Sequence, residues 1–97
     1  MKSRAEILSI LKNLKQDLSP RYHIRRLGIF GSVARDIHTP TSDVDILIEF
    51  DCPIGGFSFV HLKELLSSAL EMEVDLVTPG GLHPLLAESI QSDVIYV

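Results

Sequence analysis

Ninety-seven residues, 45% of them hydrophobic and 23% charged, suffice for one compact core and are too few for a second lobe, and the composition is neither disordered nor fibrous. A formal charge of -4, from nine Lys and Arg against thirteen Asp and Glu, excludes the chain-wide basic footprint of a protein that grips long nucleic acids. Cys52 is the only cysteine, no apolar leader follows Met1, and no run of about 18 apolar residues occurs, so a soluble protein of the reducing cytoplasm is expected, without disulfide, zinc cluster or membrane span.

Ser3 and Glu6 form a capping box, after which Ile7, Leu8, Leu11, Leu14 and Leu18 recur at helical spacing until Ser19-Pro20 closes the run. Ile24 to Phe30 reads as a strand that ends at Gly31-Ser32, a turn into a brief helix around Val33-Ala34-Arg35. A loop over Thr39 to Ser42 follows. From Asp43 to Phe50 the residues alternate, with Val44, Ile46, Ile48 and Phe50 on one face and Asp43, Asp45, Leu47 and Glu49 on the other. After Gly55-Gly56, the residues Phe59, Leu62, Leu65, Leu66, Ala69 and Leu70 supply a second amphipathic helix, and Phe57 and Phe59 at its start are expected to pack in the core. Val74 to Val77 is a short strand. Pro84 opens a last helix carrying Leu85, Leu86 and Ile90, and Val94 to Val97 adds a terminal strand. The fold class expected is α/β of the α+β type: one domain over residues 1–97, a small mixed sheet packed by helices.

Asp43 and Asp45, two apart in a strand, project to one side. Like charges roughly 4 Å apart repel by about 1 kcal/mol in water and about 4 kcal/mol near a protein surface, so the pair gains nothing without a cation, and hard carboxylate oxygens suit magnesium. Asp75 stands between Val74 and Leu76, where a charge is costly unless paired. If the two strands are neighbours, three carboxylates meet at a site for two metal ions, the arrangement that clamps both oxygens in phosphoryl transfer. The alternative is plainer: a strand with one wet face, and an aspartate that ends another. Gly31-Ser32 has the same two readings, a phosphate site of free amides and a Ser32 hydroxyl at a helix start, or a simple cap.

Taken together, Gly31-Ser32, ten residues, then Asp43-Val44-Asp45, with Asp75 on a later strand, resemble the DNA polymerase beta-like nucleotidyltransferase superfamily. The four fixed positions of the first two elements arise by chance in on the order of one chain in a thousand of this length. From Leu27 through Val97 the chain is more similar still to its minimal nucleotidyltransferase (MNT) proteins, in Gly31 to Arg35, Ser42 to Phe50 and Val74 to Pro79. The resemblance implies a bare catalytic core, and an antitoxin that neutralises a HEPN-domain RNase toxin by moving AMP from ATP to a tyrosine hydroxyl. It further implies that Asp43 and Asp45 bind two Mg2+ ions, that Asp75 binds the catalytic one and assists deprotonation of the acceptor, and that Gly31-Ser32 holds the terminal phosphates. Arg35 either reaches the triphosphate or pairs with Asp36 or another surface acid.

Two positions depart from the family pattern. Asp36 stands where relatives commonly have glycine, and residues 82–91 offer His83 where relatives carry Arg or Lys. Glu49 is expected to be solvated, and the four histidines share no ligand spacing. Two rivals remain: a module that masks the toxin by binding alone, and a nucleotidyltransferase with a small-molecule acceptor. No long nucleic acid and no membrane is expected as partner.

Overall fold

A computed structural model describes residues 2–97. The chain runs α1 (Arg4–Tyr22), β1 (Ile24–Phe30), α2 (Gly31–Ala34), β2 (Val44–Phe50), α3 (Gly56–Leu70), β3 (Val74–Val77), a 3-10 turn at Pro79–Gly81, α4 (Pro84–Asp93) and β4 (Ile95–Tyr96). The four strands form one mixed sheet in the order β3-β2-β1-β4: β1 is antiparallel to both of its neighbours, and β2 and β3 are parallel. None of the described helices is long and apolar enough to cross a membrane.

The capping box forms as the sequence predicts: the Ser3 hydroxyl accepts from the Glu6 amide and the Glu6 carboxylate accepts from the Ser3 amide. The helix does not stop at Ser19-Pro20. Proline deletes one late amide and its intrahelical bond, whereas burial of Leu18 and Tyr22 rewards a further turn. Termination waits for His23, which adopts the left-handed conformation and donates its amide to the Ser19 carbonyl.

Alternation in the strands divides the sheet into two unlike faces. Ile24, Leu27, Ile29, Val44, Ile46, Ile48, Val74 and Leu76 join Ile7, Leu11 and Leu18 of α1 and Leu62, Leu66 and Leu70 of α3 in one buried cluster. The opposite face carries Arg26, Gly28 and Phe30 of β1, Asp45, Leu47 and Glu49 of β2, and Asp75 and Val77 of β3, as the strand register requires. Only its middle is dry. Leu47 is buried there, and Gly28 is buried where a Cβ would press on Val94, Ile95 and Tyr96 as β4 pairs alongside.

Three expected core contributions are absent. Phe57 is 97% exposed, while α3 is buried through Leu62, Leu66 and Leu70, further along the helix; Phe59 alone packs, edge-on to Phe50 at 6.5 Å. Ala69 likewise faces solvent on α3. No residue of α4 is buried, and Leu85 and Leu86 are 77% and 58% exposed, since this helix lies over the thinly covered second face rather than in the core cluster.

Candidate active site

The site begins where β1 hands over to α2. Gly31 has φ +70, a left-handed conformation that glycine adopts freely, and a Cβ at this position would overlap Oδ2 of Asp45. Phe30 occupies the cap position in extended backbone and supplies no side-chain cap, so Ser32 is not the cap that the sequence suggests; it is the second residue of the helix, and its half-buried side chain is left available. The first amides of α2 have no acceptor within the helix. One turn later the Arg35 amide reaches the Gly31 carbonyl, the Ile37 amide reaches the Ser32 carbonyl, both at 3.0 Å, and the chain leaves through Asp36 at φ 61.

That positive φ is one that glycine would adopt without strain. Asp tolerates the left-handed region better than most residues, and a β-branched one does not. Asp36→Gly should therefore lie within about 0.5 kcal/mol of the native stability, and Asp36→Val should lose about 1–2 kcal/mol, both read by denaturant unfolding.

Asp45 lies in register with Asp75 on the parallel strand and opposite Phe30 on the antiparallel one, so both carboxylates leave the same face of the sheet, beside Gly31. Asp43 precedes the first residue of β2 and is exposed. Burial pushes the half-buried Asp45 carboxyl above its ordinary pKa, the charges of Asp75 and Asp43 push it further, and Arg35 opposes them. Asp75 corrects one step of the sequence argument: its apolar neighbours point into the core, but it stands exposed on an edge strand, so no burial demands a partner for it. What sets the pair apart is the mutual repulsion of the carboxylates. Among the described residues no three Asp, Glu, His or Cys side chains close around one point, so the in-register pair is the nucleus and Asp43 acts on it from further off.

A cavity of about 450 Å³ opens over this pair, with Phe30, Gly31, Asp45, Asp75 and Val77 on the sheet side and Leu82, Leu86, Ser89, Ile90 and Asp93 on the α4 side. Arg35 lines it too. Its Nε donates to Oδ2 of Asp93 at 2.9 Å, not to the adjacent Asp36. Sequence reasoning missed Asp93, although a signal was present: an acid at the last residue of a helix opposes the macrodipole and asks for a partner. A second hollow, of about 400 Å³ at Asp51, Cys52, Pro53 and Pro79, also holds two carboxylates, Glu49 and Asp51, but has no glycine turn beside them. Glu49 is drawn off by an ion pair with Arg26, which stacks on the Tyr96 ring at 4.8 Å. His38 is buried against the Lys2 carbonyl at 2.8 Å, away from the cavity, and the other three histidines are exposed.

Comparison with known proteins places this geometry in company. The family model for the nucleotidyltransferase domain matches residues 9–97. A protein of Methanocaldococcus jannaschii that carries the provisional name of protein adenylyltransferase is 42% identical over 98 residues, covering 100% of both chains. Protein adenylyltransferase MntA of Thermococcus cleftensis is 38% identical over 92 residues, covering 95% of this chain and 93% of its own. Among solved structures, one provisionally described as a minimal nucleotidyltransferase superposes with a TM-score of 0.81 at 31% identity, over 97% of this chain and 95% of the other. The MNT antitoxin and tri-AMPylated HEPN toxin of Shewanella oneidensis form a complex that gives a TM-score of 0.71 at 20% identity, over 96% of this chain and 70% of the other, a likeness of fold.

Proposed function

This chain belongs to the nucleotidyltransferase domain family, and from that premise we propose that it moves AMP from ATP to a tyrosine hydroxyl of a partner HEPN-domain toxin. The observation that carries the reading is the in-register pair Asp45 and Asp75, on one face beside a glycine turn whose backbone a side chain would obstruct. Relatives named as protein adenylyltransferases, and a fold shared with an MNT antitoxin bound to an AMPylated toxin, support the choice of donor and acceptor.

The donor set fits magnesium: hard carboxylate oxygens that crowd one another without an adequate internal counter-charge. Magnesium takes one or two carboxylates and fills its shell with water and substrate phosphates, so a pair is sufficient protein ligation for one ion. We assign Asp45 and Asp75 to the catalytic ion, and Asp43 with Asp45 to a second. When bound, Mg2+ neutralises charge on the phosphates and on the oxygens being exchanged. Gly31 and Ser32 present amides and a hydroxyl to the terminal phosphates, and Arg35 supplies the cavity's cationic side chain.

In this reaction the tyrosine oxygen attacks the α-phosphorus, a new O–P bond forms, the bond to the bridging oxygen of the β-phosphate breaks, and pyrophosphate leaves. The phenolic proton passes to Asp75, which is exposed on the edge strand and open to an arriving acceptor. Positioning and charge neutralisation then supply most of the rate.

Incubation with α-labelled ATP, Mg2+ and the toxin tests the assignment. Label on the toxin, absent with Asp43→Ala and with a toxin lacking its acceptor tyrosine, is the expected result. A toxin inhibited but unlabelled would replace catalysis with masking, and label on an added small molecule alone would replace the acceptor.

Binding of the ion should also carry the mark of Asp45. Only the deprotonated carboxylate ligates, and its pKa is raised, so Mg2+ affinity is expected to fall on acidification while the pH is still above the ordinary carboxylate range. Asp43→Asn removes one of the like charges and should move that fall to lower pH, as read by calorimetric titration of Mg2+ across pH.

A further inference from the structure

We propose that Asp93 is a positioning residue for Arg35, holding its guanidinium by one edge so that the other edge is kept for the triphosphate. The proposal rests on the nucleotide-binding role assigned above to Arg35. Asp93 belongs to neither sequence motif and lies 58 residues from Arg35, yet both line the cavity that holds Asp45 and Asp75.

Three observations carry it. Arg35 is the only cationic side chain among the residues lining the cavity, against three carboxylates, so its direction decides whether an entering polyanion meets attraction or repulsion. The contact with Asp93 is a single bond to Nε at 2.9 Å, which leaves the two terminal amino groups, four N–H donors, uncommitted by that pairing. An arginine held through Nε presents its outer fork, the geometry that matches phosphate oxygens.

The third observation is where Asp93 sits. As the last residue of α4 it faces the negative end of the helix dipole, so it weakens the helix that bears it, and α4 carries no basic residue to compensate. An acid in that position earns its place through what it grips. Without it, Arg35 would be free to fold onto the crowded carboxylates of Asp45 and Asp75, where it would oppose metal ligation instead of serving phosphate.

Binding of Mg2+·ATP to the purified protein, measured calorimetrically, is the test. Asp93→Ala is expected to raise Kd about fivefold, the upper end of what an exposed ion pair contributes. Asp93→Asn keeps an acceptor oxygen for Nε and should stay within about twofold of the native chain. In an Arg35→Ala background, Asp93→Ala should change Kd no further, whereas a merely structural role in α4 would persist there. Tighter binding by Asp93→Ala would make the acid a competitor of phosphate and overturn the proposal, as would an unchanged Kd or an effect that survives in the double variant. Failure of the underlying reading is distinct from all of these: the native chain would then bind no Mg2+·ATP at all.

Discussion

Asp45→Asn is expected to lower AMP transfer on the order of a thousandfold while raising the melting temperature. The two effects have one cause. Asp45 is the carboxylate common to the whole site: it lies in register with Asp75, it is the group on which Asp43 and Arg35 both act, and its Oδ2 stands against Gly31. Asparagine keeps the shape and removes the anion that a divalent ion and its phosphates require. The same anion is a burden on the folded chain. A carboxyl whose folded pKa lies above its unfolded one binds its proton more readily when folded, so its contribution to stability is greatest at low pH and is lost as pH rises through the raised pKa. Once the pH has passed the raised value the penalty is in force, and Asn lifts it. The gain is modest, because the group is only half-buried and water screens it. Labelled transfer and thermal melting of the same sample check both halves; an active Asp45→Asn protein, or one that melts lower, would break the link between crowding and function.

The sheet was open to sequence reasoning because β-strands leave a period-2 trace that burial on one face enforces. Ile24 to Phe30 and Val74 to Val77 form strands with the bounds expected, and the alternation through Val44, Ile46 and Ile48 correctly divides core from site. The candidate site was legible in part: alternation puts Asp45 and Asp75 off the core face, but Asp43 lies before β2, and the pairing of β2 with β3 that sets Asp45 beside Asp75 leaves no local trace. What the sequence hid was decided by packing. Pro20 is a local stop signal outvoted by the burial of Leu18 and Tyr22. Leu85, Leu86 and Phe57 have the hydrophobicity of core residues, but Leu85 and Phe57 are left exposed and Leu86 borders the cavity over the sheet instead of joining the core. For Asp93 the sequence offered only an unfavourable charge at a helix end; its partner, 58 residues away, was hidden because long-range ion pairs leave no periodic trace.

Gly31→Ala is expected to cost about 2 kcal/mol of stability and at least about a hundredfold in transfer, and a comparison variant separates its two causes. The first is conformational: φ +70 carries a penalty of roughly 1–2 kcal/mol for a residue with a Cβ. The second is steric, because the new methyl group would occupy the place of Asp45 Oδ2 and turn that carboxylate out of its register with Asp75. Asparagine tolerates the left-handed region well, so Gly31→Asn relieves most of the first cause and none of the second. Were backbone freedom the whole role of Gly31, the asparagine variant would recover both stability and transfer. If instead the glycine is there so that Asp45 and an incoming phosphate can approach the backbone, Gly31→Asn regains part of the stability in denaturant unfolding yet stays as inactive as Gly31→Ala. The second pattern is the one this geometry requires, since the distance between the turn and the carboxylate is set by the pairing of β1 with β2, opposite Phe30, and neither strand can retreat without opening the core.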